Sequence, residues 1–205
     1  KGELVVFNPR WSETIVNTER EQAIPNPFLN LFSNKAVALT KRVADTYIAT
    51  FSSTNLFSKG EPISIYSTWE YGQLHHIDLI LILIGFLALF AYFRKAFYLL
   101  IPLILVAPAA SAIDIVQETY AVRSFLLFPI LIIVSAVGLW FIKEKIKFGQ
   151  VLFIVISLVY LVSSLYFLQL YFFRFPIYSA ERWRFSERLA ASYTLRAQTI
   201  DEIKK

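Results

Sequence analysis

The chain has 205 residues, of which 57% are hydrophobic and only 17% charged, with a mean hydropathy of +0.55 and a formal charge of +5. Soluble domains carry about 25% charged residues, so this composition excludes an ordinary water-soluble fold, and the absence of Cys excludes disulfides and thiolate metal sites. The positive balance fits basic loops beside anionic lipid rather than nucleic acid, because no basic patch interleaves with stacking aromatics.

The chain begins at Lys1 and contains no Met, so further chain is expected upstream. Residues 1–76 are mixed and polar, with loop punctuation at Asn8-Pro9, Pro25-Asn26-Pro27 and Lys59-Gly60-Glu61-Pro62. Within them, Ser33 or Asn34 is placed to cap a helix that continues to about Phe51. Val37, Val43, Ala44, Tyr47, Ile48 and Phe51 recur at three-to-four spacing there, with Lys35, Lys41, Arg42 and Asp45 mainly elsewhere. Such a helix either lies in the headgroup layer with its apolar stripe down or packs on its own domain.

Four apolar stretches follow, at 77–93, 96–113, 124–142 and 148–173. A bilayer crossing takes roughly 20 apolar residues, with a range of about 17–25, and lipid offers exposed backbone no partner, so each is expected to be a helix. Pro102, Pro108 and Pro129 predict kinks repaired by neighbouring helices. The charged tail, 174–205, is expected to turn helical from about Ser179, with Leu189, Tyr193, Ala197 and Ile200 on one face. The expected fold is therefore all-α: a polytopic transmembrane bundle of four spans, an outer amphipathic helix and a short helical tail.

Charge predicts the orientation. Arg94, Lys95, Lys143, Lys145 and Lys147 occupy two alternate connections, whereas the middle connection has only Arg123 against Asp114 and Glu118. The positive-inside rule then makes the basic connections cytoplasmic and puts residues 1–76, the 114–123 loop and the tail outside. Arg174, Arg182, Arg184 and Arg188 in the tail pull the other way.

Polar candidates cluster at the expected outer surface. His75, His76 and Asp78 lead into the first stretch; His75 and Asp78, one turn apart, are either a metal pair or a helix cap at the water boundary. Arg123 opens the third stretch after an acidic loop. Its guanidinium suits a bidentate grip on a lipid-linked phosphate, or an ion pair with Asp114 or Glu118. Lys59 and Glu61 flank Gly60, and Glu118 and Tyr120 stand before Arg123. Tyr66, Trp69, Tyr71 and Trp183 either stack on sugar rings or anchor the protein at headgroup level.

In order, the chain carries Phe51-Ser52-Ser53-Thr54-Asn55-Leu56-Phe57, Gly60-Glu61-Pro62, Gly72-Gln73-Leu74 entering a span that closes at Ile84-Gly85-Phe86, then Tyr120-Ala121-Val122-Arg123-Ser124, and Phe128-Pro129 through Gly138-Leu139. Over residues 34–193 this order and spacing resembles the carboxy-terminal half of bacterial GT-C membrane glycosyltransferases. That broad group is related to protein O-mannosyltransferases and lipid A aminoarabinose transferases. The resemblance implies a multi-span enzyme of the bacterial cytoplasmic membrane that takes a sugar from a polyprenyl-phosphate donor on the outer side and passes it to a glycan, lipid or protein. It implies a phosphate-binding role for Arg123, with Lys59, Glu61, Tyr66, Trp69, His75, Glu118 and Tyr120 as candidate lining. It implies no cofactor and assigns no metal ligands, and its catalytic acidic residue is expected upstream. Where the family has Gly-Asp-Pro this chain has Gly60-Glu61-Pro62, and Tyr120 stands where the family has a histidine. The competing readings are a transporter or flippase component and a non-catalytic membrane scaffold.

Overall fold

The structure is a computed structural model that describes residues 9–24, 28–61, 67–113, 120–180 and 186–194. Among them the only regular secondary structure is helical. Helix α1 (Pro9–Glu21) opens with proline at its first turn, where a missing N–H costs nothing. It is fastened to residues 33–35 by a 2.7 Å Lys35–Glu13 ion pair and by Arg20, which donates to the Ser33 carbonyl. The short α2 (Leu29–Phe32) precedes α3 (Lys35–Thr50). Asn34 caps α3 as its side chain predicts, its Oδ1 accepting from the Val37 N–H at 3.0 Å.

The face that α3 buries is not the apolar one. Ala38, Arg42, Thr46 and Thr50, four residues apart, are buried, while Ile48 is 66% and Val37 41% exposed. The cause is the partner surface. This face packs on α6 (Ala109–Ala112) and approaches α7 (Tyr120–Arg123), where Ser111 and Ser124 are fully buried. Thr50 Oγ1 lies 3.3 Å from Ser111 Oγ, which accepts at 2.9 Å from Ser124 Oγ. Hydroxyls meet across this contact, and of the apolar stripe Val37, Ala44 and Ile48 stay exposed while Val43, Tyr47 and Phe51 are half-buried.

After a π-turn, Thr54–Ser58, the chain reaches α4 (His76–Tyr92), α5 (Arg94–Val106), α6, α7, α8 (Leu127–Lys145) and α9 (Gly149–Gln169). Among the described residues three helices are long and apolar enough to cross a membrane: Arg94–Ala112, Leu127–Lys145 and Gly149–Ile177, with mean hydropathies of 1.7, 1.9 and 2.5. Helix α4 is apolar but shorter, at 17 residues. Much of α9 faces outward with apolar side chains, among them Val162 at 66% exposure and Val151 at 60%. Water disfavours such a surface and hydrocarbon does not.

Of the expected kinks, the one at Pro108 is realised as a break: α5 ends at Val106 and the chain resumes as α6, capped by Pro108. Pro102 sits inside α5. Pro129 falls in the first turn of α8, where it interrupts no hydrogen bond.

Helices α4 and α8 run parallel. Asp78 in the first turn of α4 bonds Ser135 of α8, and Tyr92 at its end meets the rings of Trp140 and Phe141 at 6.2 and 5.9 Å. Glycine makes the closeness possible: a Cβ on Gly85 would stand 2.0 Å from the Val134 carbonyl oxygen, and one on Gly138 2.1 Å from that of Leu81. Helix α9 returns antiparallel, with Tyr160 near Ser135 and Lys143 5.6 Å over the Phe153 ring.

This arrangement gathers the basic connections at one end. Lys145 stands 5.2 Å from the Tyr92 ring and Arg94 5.8 Å from that of Phe90. The opposite end holds the 59–61 turn, residues 67–75, α7 and the far end of α9.

At that end the helix from Gly149 runs on to Ile177. It passes through a π-turn, Leu170–Arg174, into α10 (Phe175–Ser179). Phe167, Tyr171 and Phe175 stack along this stretch at 6.0 and 5.4 Å, and Arg174 pairs with Glu70 at 2.6 Å. The stretch 186–194 is helical, with Leu189 and Tyr193 exposed. Arg182, Trp183, Arg184, Ala197 and Ile200 lie outside the described residues.

Candidate functional site

Two polar clusters occupy the end opposite the basic turns. The first is built on the 59–61 turn. Gly60 has φ +71°, a conformation that favours glycine, and a Cβ there would meet Ser67 Oγ at 2.6 Å. Ser67 Oγ donates to the Lys59 carbonyl at 2.7 Å and accepts from the Trp69 N–H at 3.0 Å, stitching the turn to the segment after it. Trp69 itself has φ +59°, uncommon for a bulky residue, and keeps its ring 45% exposed. Lys59 is exposed.

Glu61, beside them, is 1% exposed. Its Oε1 accepts a hydrogen bond from the Ala121 N–H in α7, and its Oε2 is buried with no hydrogen-bond partner among the described residues. Burial pushes its pKa up from 4.5 to about 7, the Ala121 N–H opposing that rise. The carboxyl is therefore poised to take or release a proton near neutrality. The same bond brings the Gly60-Glu61 turn against the turn that ends in half-buried Arg123. Spacing left this pairing open; the residues are 60 positions apart.

The second cluster surrounds Asp78, which is 4% exposed. Its Oδ2 accepts from the His75 N–H at 3.0 Å, so it does cap α4. Its Oδ1 accepts from Ser135 Oγ at 2.5 Å and from the Tyr160 hydroxyl. The His75 ring does not turn to a shared metal position with Asp78. Its Nδ1 bonds the Tyr71 hydroxyl, and its edge meets Tyr160 at 5.2 Å. Burial lowers the His75 pKa, with Asp78 opposing and His76 reinforcing the shift. Burial likewise raises that of Tyr71. Among the described residues no group of three His, Asp or Glu side chains is placed to hold a metal ion.

Of the residues singled out from sequence, Lys59, Glu61 and Trp69 thus share one cluster with the Arg123 turn, and His75 joins Asp78 in the other. Tyr66, Glu118 and Asp114 lie outside the described residues, as does the side chain of Tyr120. Sequence reasoning passed over Ser135 and Tyr160. The available signal was a hydroxyl inside an apolar stretch, which lipid tolerates when another helix supplies its partner. Comparison with models of known families, with curated proteins and with solved structures found no match to this chain.

Proposed function

We propose that this chain is part of a membrane glycosyltransferase that takes a sugar from a polyprenyl-phosphate carrier, with Arg123 gripping the carrier's phosphate at the outer end of the bundle. The observation that carries this reading is the Glu61–Ala121 hydrogen bond. It joins the Gly60-Glu61-Pro62 and Tyr120–Ser124 stretches, two of those on which the GT-C resemblance rests.

In this reading α4 is a fourth crossing. Its 17 residues rise about 26 Å at 1.5 Å each, within the range a bilayer accepts, and it runs alongside α8. The basic turns face the cytoplasm of a bacterial cell and the two polar clusters face outward. An acidic group supplied upstream deprotonates the acceptor. The guanidinium of Arg123 stabilises the departing lipid phosphate through paired hydrogen bonds, and no cofactor enters the reaction.

The test is Arg123→Ala in the full-length protein, with transfer from a polyprenyl-phosphate sugar as the readout. Loss of a preorganised donor to developing charge costs about 10²–10³ in kcat; unchanged turnover and donor affinity remove Arg123 from the site. One observation favours a transporter instead, namely the carboxylate of Asp78 buried among α4, α8 and α9. Substrate uptake by sealed proteoliposomes without sugar transfer would decide for it.

A further inference from the structure

Between α4, α8 and α9 lies a cavity of about 430 Å³, the size of a small-molecule site. Gln73, His75, Asp78 and Tyr160 give it a polar wall, and Leu81 and Leu139 continue it deeper along the helices as an apolar one. Ile132, which also lines it, is 54% exposed on the outer surface of the bundle, so the cavity opens sideways where lipid would lie.

The charge on this wall is unbalanced. Among the described residues no Lys or Arg lines the cavity, and Asp78 has hydrogen-bond donors but no ion-pair partner. Burial lowers the His75 pKa and so disfavours the charged form that would serve as a counter-charge. A carboxylate at the edge of a bilayer without a cation is costly. A metal ion would need several oxygen ligands, and this wall offers one carboxylate. An ammonium head needs less: it has three N–H donors, which the Asp78 carboxylate, the Gln73 amide oxygen and the face of Tyr160 can receive. The apolar wall beyond would take an alkyl chain.

We propose that this cavity binds the ammonium head of a long-chain amine or aminolipid, with Asp78 as its counter-ion and the Leu81–Leu139 wall holding the chain. The inference does not rest on glycosyl transfer, and an inactive or active Arg123→Ala variant leaves it untouched.

The full-length protein in phosphatidylcholine nanodiscs is titrated with decylamine and, separately, with decanol, and bound ligand is read by native mass spectrometry. Decylamine is expected to saturate one site at least tenfold more tightly than decanol. Asp78→Asn is expected to lose at least tenfold in decylamine affinity. Ala136→Phe, which fills the cavity and leaves Asp78 in place, loses binding too and remains informative if the Asp78 variant fails to fold. Equal affinity for the two probes, or full decylamine binding in folded Asp78→Asn or Ala136→Phe, overturns the proposal. Displacement of decylamine by phosphatidylethanolamine assigns an aminolipid headgroup, and resistance to it assigns a free amine.

Discussion

Asp78 and Ser135 stand 57 residues apart in the chain and share a 2.5 Å hydrogen bond that ties the start of α4 to the middle of α8. Tyr160 of α9 reaches the same carboxylate oxygen, so one acceptor holds three helices. Side-chain hydrogen bonds within bilayers average about 0.6 kcal/mol, with an upper end near 1.7, and a charged acceptor places these toward the upper end. Ser135→Ala and Tyr160→Phe are each expected to cost about 1–1.5 kcal/mol in detergent unfolding. Because both donate to one oxygen, the double variant should depart from the sum of the single ones. Strict additivity would mean that the two bonds do not form together.

The glycine seam makes a prediction of opposite sign to helix propensity. Alanine is better than glycine in a helix by about 1 kcal/mol, so Gly85→Ala or Gly138→Ala would stabilise a helix standing alone. Here the added carbon would meet a backbone carbonyl at 2.0 or 2.1 Å, and a backbone cannot swing aside as a flexible side chain does. Overpacking at such a contact costs about 1–3 kcal/mol. Both variants are expected to unfold at lower denaturing-detergent concentration than the parent. Equal or higher resistance would mean that α4 and α8 do not pack at this distance.

Glu61 links stability to pH. Its carboxyl titrates at about 7 in the folded protein against 4.5 ordinarily, because burial opposes its charge. A raised folded value means the stabilising contribution is complete below the ordinary value and is lost as pH rises through the folded one. The melting temperature is therefore expected to fall between about pH 4.5 and pH 7. Glu61→Gln keeps an acceptor for the Ala121 N–H and cannot ionise, so it should flatten that dependence and exceed the parent at the alkaline end by about 1–3 kcal/mol. A parent and variant with parallel pH profiles would remove Glu61 as the titrating group.

Orientation is testable because the chain has no cysteine. A single cysteine at Lys145, beside Tyr92, and another at Glu118 should react oppositely with an impermeant thiol reagent added to intact cells. Position 118 is expected to label from outside and position 145 only after permeabilisation. Labelling of position 145 alone from outside would invert the topology.

The amino-acid order by itself determined the helices. Asn34 announced the start of α3, and the long apolar runs announced α5, α8 and α9. These are local properties, since a cap, a run of side chains and a proline act within a turn or two of themselves. Tertiary structure decided the pairings. Which face of α3 is buried depends on Ser111, itself bonded to Ser124, lying against Thr50, and nothing within α3 reveals that. Glu61 became a buried, protonatable group only when the folded chain closed over it, and Asp78 became more than a cap only when Ser135 and Tyr160 closed on it. In a low-dielectric bundle a polar group's state is set by its partners, and those partners come from distant parts of the chain.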